Sequence, residues 1–140
     1  PVIHGMLLKP SYTEEDLLGY LGDSCVTEVY GLGGMSSIAG PAYARFTGAT
    51  FAEAKERTEK ARAVSLGEHT FAPIPWDEYR GFPVGIDARK VVGYNILPIS
   101  HGGSALKTGG QAGAGAAELP LECFREALRG IRDEALRKQQ

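Results

Sequence analysis

The run SHGGSALKTGGQAGAGAA at residues 100–117 places His101 and Lys107 in a glycine-rich setting. An imidazole titrates near neutral pH and carries protons, and an ammonium offsets a developing negative charge. Gly102, Gly103 and Ser104 follow His101 directly. Free backbone N–H groups in such a run suit an anion, and glycine lets a ligand approach the backbone closely. We read His101 and Lys107 as candidate catalytic residues, and Gly102, Gly103 and Ser104 as ligand-binding. The other reading of the run is a flexible connector, with His101 an exposed or capping side chain. The glycine spacing is not that of a P-loop, because Lys107-Thr108 follows Leu106, and it is not a dinucleotide fingerprint.

A second small-residue segment, GLGGMSSIAGP, spans residues 31–41. Gly33, Gly34, Ser36 and Ser37 supply hydroxyls and N–H groups for another wall of the same pocket; the alternative is a turn of small residues. Ser36 lacks the G-x-S-x-G elbow of a hydrolase nucleophile. Tyr94 and Asn95 add a ring and an amide for a flat ligand. Trp76, Tyr79 and Arg80 cluster upstream of them. Trp76 and Tyr94 suit a core or subunit interface equally. Both small-residue segments follow predicted strands. Strand ends on one rim would bring His101 to the backbone of residues 33–37, in one pocket or in one completed by a neighbouring subunit.

His4 lies in a predicted strand, and His69 follows Glu68 at a helix stop. With no acid at ligand spacing, the three histidines give no metal site. Pro1-Val2-Ile3 resembles the start of the tautomerase superfamily, in which the proline amine is a general base. The arginines of that superfamily are replaced here by Leu8-Lys9-Pro10.

These residues need a scaffold. Val2 to Leu8 reads as a strand, followed by a short helix opened by Ser11 and Thr13 and carrying Leu17, Leu18 and Leu21. Cys25 to Tyr30 and Ala42 to Phe46 read as strands. The clearest helix starts at Thr50, which forms a capping box with Glu53. Phe51, Ala54, Thr58 and Ala61 share one face of it. Glu53 with Arg57, and Glu56 with Lys60, pair on the exposed side, and Gly67 ends it. Residues 68–81 read as an irregular connector. Phe82 to Ile86 and Val91 to Ile99 read as a hairpin turning at residues 87–90. A last helix begins after Pro120, with Leu121, Phe124, Leu128, Ile131 and Ala135 as its apolar stripe.

The 140 residues suit a single domain, 1–140. The net charge is −2, and the basic residues interleave with acids on two predicted helices. No basic face is available for nucleic acid, and no apolar run is long enough for a membrane span. Cys25 and Cys123 form no paired motif and read as reduced core residues of a cytoplasmic protein.

Three stretches resemble the GlcG/PduO-C-like family of haem-binding and corrinoid-pathway domains. They are Ala44-Arg45-Phe46-Thr47-Gly48-Ala49, the helix from Ala54 to Ala61, and Gly81-Phe82-Pro83-Val84 through Val91-Val92-Gly93. Thr47 stands where the family has aspartate, and the sequence after Val91-Val92-Gly93 departs from the family turn. The resemblance implies an α/β/α sandwich on a mainly antiparallel sheet, in homo-oligomers, with haem as the family's best-known ligand. The function expected is a small-molecule or cofactor-binding oligomeric domain. The alternatives are a cofactor-independent acid–base enzyme (isomerase, tautomerase or lyase) acting on a small polar acid, and a non-catalytic interaction subunit.

Overall fold

The computed structural model describes residues 4–18 and 25–139. Pro1, and the part of the first predicted helix that holds Leu21, lie outside the described residues. The fold is mixed α/β on antiparallel sheets with a C-terminal helix, as the sequence led us to expect. Strands β1 (His4–Leu7), β5 (Gln111–Glu118) and β4 (Ile99–Ala105) form one sheet in the order β1-β5-β4. Strands β2 (Gly67–Ile74) and β3 (Arg80–Val84) form a separate antiparallel pair. The helices are α1 (Cys25–Tyr30), α2 (Pro41–Phe46), α3 (Phe51–Val64), α4 (Ala88–Tyr94) and α5 (Leu121–Arg137).

The glycine-rich run at 100–117 is the β4–β5 hairpin rather than a loop. His101 pairs with Ala116 and Gly102 with Gly115, and β5 pairs on its other side with β1. Residues Ala112 to Ala117 are all buried. Glycine and alanine weaken a strand in isolation, but as the middle strand β5 has ladder partners on both sides. Gly109 and Gly110, both at positive φ, turn the hairpin.

Three predicted strands differ in type. Cys25 to Tyr30 is helical, although its residues are mainly β-branched or aromatic, and Glu28 of this helix is buried. Residues 41–46 are helical because Pro41 occupies the first turn, where its missing N–H costs nothing. Val91 to Tyr94 belongs to α4, not to a hairpin. Asp87 caps this helix by accepting from Arg89 N at 2.9 Å, and Asn95 ends it in the left-handed conformation. The true partner of β3 is β2, within the segment read as irregular.

Helix α3 forms as read, with the Thr50–Glu53 capping box in place. It packs on a 3-10 segment, Gly33–Ala39, which lies against β4. Met35 and Ile38 of that segment are fully buried. The Thr58 hydroxyl joins the two elements, accepting from Ile38 N at 3.1 Å and donating to Ala54 O at 3.0 Å. Arg57 is half-buried and shares the wall of a groove with Glu53, whose carboxylate caps Thr50 and also feels the Arg57 charge. Glu56 and Lys60 pair at 2.7 Å as expected. At the far end of α3 the buried Arg62 bridges to Asp77 at 2.6 Å and Glu59 at 2.6 Å, fastening the helix to the β2–β3 unit. Helix α5 packs on α4, but Ile131 and Leu136 of its apolar residues stay exposed. Cys123 is exposed on α5, not a core residue. No helix among the described residues is long and apolar enough to cross a membrane.

Candidate functional site

A buried carboxylate organises the site. Glu28, 3% exposed, extends from α1 to where the 3-10 segment meets β4. Its Oε1 accepts the backbone N–H of His101 at 2.9 Å, and its Oε2 accepts that of Met35 at 3.3 Å. Gly34 N–H and the Ser100 hydroxyl also donate to it. Burial pushes its pKa up, and these donors oppose the shift.

His101 is 6% exposed. Its Nε2 lies 3.4 Å from Ser37 Oγ, and the Tyr43 ring is tilted against it at 5.4 Å between centroids. The single Ser37 hydroxyl proton goes to Gly34 O at 2.9 Å. Ser37 Oγ is therefore left to accept, which assigns the imidazole proton to Nε2 and leaves Nδ1 a bare lone pair. That Nδ1 is closed to solvent and has no hydrogen-bond partner among the described residues; the same is true of Arg57 Nη1. Burial first, and then the positive charge of Arg57, push the imidazole down to about 4. His101 is thus neutral at pH 7.

His101 lines the smaller of two cavities. A recess of about 250 Å³ is lined by His101, Ser37, Ser36, Gly33, Tyr43 and Phe82, among others. A groove of about 810 Å³ runs between α3 and the end of β5, with Arg57, Asn95, Ile99 and Ala116 in its walls. Ala116 is the cross-strand neighbour of His101, but His101 itself is not among the residues that line the groove.

The structure therefore brings His101 to Gly33, Ser36 and Ser37, by a different route from strand ends on one rim. His101 lies within β4, and the 3-10 segment crosses it. Gly34 sits where an added Cβ would strike Ile99 O, so its lack of a side chain serves packing. Asn95 reaches the groove, while Tyr94 is exposed at the end of α4. Gly102, Gly103 and Ser104 continue along β4 and line neither cavity. Lys107 is at the hairpin tip, where Nζ donates to Glu15 O at 2.5 Å. His69 is in β2, with Nε2 at 2.6 Å from Tyr30 O. Trp76 Nε1 donates to Ile38 O at 2.6 Å, and Arg80 binds Glu59 and Glu68, so both hold the scaffold. Among the described residues no group of three His, Cys, Asp or Glu side chains is arranged to hold a metal ion.

Glu28, Tyr43 and Arg57 were not legible as site residues from the sequence. For Arg57 a signal existed: it is three residues after Ala54 and four before Ala61, on the small-residue face.

No family model matches the chain. It is 35% identical over 128 residues to the oxamate carbamoyltransferase subunit AllG of Escherichia coli (strain K12), an alignment covering 89% of this chain and 30% of AllG. It is 36% identical over 121 residues to the uncharacterized protein YahG of the same organism, covering 85% of this chain and 26% of YahG. The crystal structure of a conserved protein of unknown function from Enterococcus faecalis V583 superposes with a TM-score of 0.87 at 34% identity, over 94% of this chain and 32% of that one. Over most of its length the chain is a homologue of AllG and YahG, and it spans less than a third of either protein.

Proposed function

We propose that this chain is a small-molecule-binding domain, GlcG-like in kind, within a protein that serves as a subunit in carbamoyl-group chemistry. The observation that carries this reading is the recess at His101 and Ser37, braced by a buried carboxylate, in a chain 35% identical to AllG across 89% of its length. A recess of about 250 Å³ is below the roughly 300–1,000 Å³ usual for drug-sized ligands, and it favours a small polar acid. Assembly with further copies belongs to the same proposal, and light scattering of the purified chain tests it.

Haem, which the family resemblance implies, does not fit these residues. The recess is too small for a flat macrocycle, His101 Nε2 is committed to Ser37, and its Nδ1 is closed to solvent. The larger groove has no His, Cys, Met or Tyr among its lining residues to serve as an axial ligand.

The acid–base reading is favoured by one observation: His101 carries an unprotonated, unpartnered Nδ1 at neutral pH. To act as a general base it needs the side chains around it to move, because that atom is closed to solvent. The charge that acts on the imidazole is that of Arg57, which lines the groove and not the recess.

Oxamate, named in the relative's activity, is the first probe. We expect it to shift the NMR signals of the His101 ring and Ser37 at concentrations up to roughly 10 mM. An unchanged spectrum overturns the small-acid ligand.

A further inference from the structure

The second half of α5 lies open to solvent. Leu121, Phe124 and Leu128 are half-buried on a helix that packs against α4, but every residue from Arg129 to Gln139 is exposed. Ile131, 65% exposed, continues the same apolar stripe, and Leu136, a turn further on, is 54% exposed. Residues 129–138 carry four basic side chains against two acidic ones. Arg129 pairs with Glu122, Arg132 with Asp133 and Lys138 with Glu134. Arg137 is left with a backbone oxygen, that of Asp133, and no carboxylate among the described residues.

The groove between α3 and the end of β5 is a surface of matching character. Ile96, Leu97 and Leu119 in its walls are half-buried, and its volume of about 810 Å³ has room for several apolar side chains. Three acids line it against two bases. Glu56 pairs with Lys60, and the charge of Arg57 acts on Glu53. Glu118 has no basic partner among the described residues and is exposed. An α-helix rises about 1.5 Å per residue, so Arg137 lies roughly 24 Å along α5 from Leu121. Leu121 follows directly on the groove residues Leu119 and Pro120. The free end of this continuous helix therefore points away from its own groove, and only the groove of another copy is open to it.

We propose that the free end of α5 docks in the groove beside α3 of a second copy, and that the exchange is reciprocal about a two-fold axis. Ile131 is the apolar anchor that enters among Ile96, Leu97 and Leu119, with Leu136 at its flank. The basic side chains of residues 129–138 meet Glu118 at the rim. In helix-in-groove docking the apolar anchors supply affinity, and the charges fix orientation. This inference rests on the assembly part of the reading above and names its two surfaces; ligand recognition at His101 does not depend on it.

Sedimentation velocity of the chain is the test. A dimer with a Kd of roughly 1–100 µM is expected, weakening as salt rises from about 0.05 to 0.5 M. Ile131→Asp on the helix and Glu118→Arg at the groove each raise the Kd about tenfold. Both positions are exposed, and circular dichroism verifies that the variants are folded. An equal mixture of the two variants recovers part of the association, because the mixed dimer keeps one unaltered helix in one unaltered groove, whereas each variant alone loses both contacts. Pairing of α5 with α5 gives no such recovery. A monomer throughout this range overturns the exchange and the assembly reading together, and leaves the ligand reading in place. A dimer that either folded variant leaves intact, or a mixture no tighter than the variants alone, overturns the exchange and leaves assembly standing.

Discussion

The Glu28 carboxylate accepts the backbone N–H of His101 at 2.9 Å, across 73 residues of sequence. That bond ties α1 to β4, and with the bond from Met35 it gathers the donors of the 3-10 segment onto one buried charge.

Glu28→Gln keeps the shape but replaces an acceptor oxygen by an N–H donor among donors. At least one backbone N–H loses its partner. We expect a loss of about 2 kcal/mol in urea unfolding, with a shifted His101 ring signal in the folded state. A variant as stable as the parent, with His101 unmoved, contradicts the bracing role.

The His101 imidazole makes folding pH-dependent. Its folded value is about 4 against an ordinary 6.5, so between these the unfolded chain binds a proton that the folded chain does not. Its contribution is therefore present above the unfolded value and lost as pH falls toward 4, by about 3 kcal/mol at most. Glu28, raised from 4.5, acts in the opposite sense. Its contribution is full below 4.5 and lost as pH rises through the folded value. His101→Gln should flatten the decline in urea midpoint between pH 6.5 and 4, and Glu28→Gln should steepen it. Parallel profiles for all three proteins rule this out.

Gly34→Ala places a methyl group against Ile99 O, which is backbone and has little freedom to move. We expect about 2–3 kcal/mol of destabilisation and a correspondingly lower melting temperature. A neutral substitution means that the 3-10 segment does not rest on β4 as described.

Asp77→Asn removes one partner of Arg62, whose side chain is 5% exposed. Breaking a buried pair costs roughly 3–5 kcal/mol. Glu59 and Glu68 still hold Arg62, so the lower end, about 3 kcal/mol, is expected in thermal unfolding.

Lys107→Ala tests the role suggested by the glycine-rich run. Lys107 Nζ donates to Glu15 O at the hairpin tip. Losing this exposed contact costs about 1 kcal/mol or less. Oxamate affinity should stay within about twofold. A tenfold loss restores Lys107 to the site.

Two helices and one meeting of segments were readable from residue types. Thr50 and Glu53 announce the start of α3, because the capping box is a local hydrogen-bond pattern that needs no distant partner. The stripe from Leu121 to Leu128 announces α5, because its period belongs to one element. His101 and the residues around Ser37 were expected together, and they are within hydrogen-bond reach at 3.4 Å. What the tertiary structure decided is the element type at 25–30, 88–94 and 111–118, and the membership of the site. Cys25 to Tyr30 is a helix whose carboxylate is tied to β4, and β5 is a strand because it has neighbours on both edges. Short β-branched runs and glycine–alanine runs carry too little intrinsic preference to resist such contacts. Helix α3 and β4 are placed near one another by the 3-10 segment that both touch, over a separation at which no spacing rule in the chain applies.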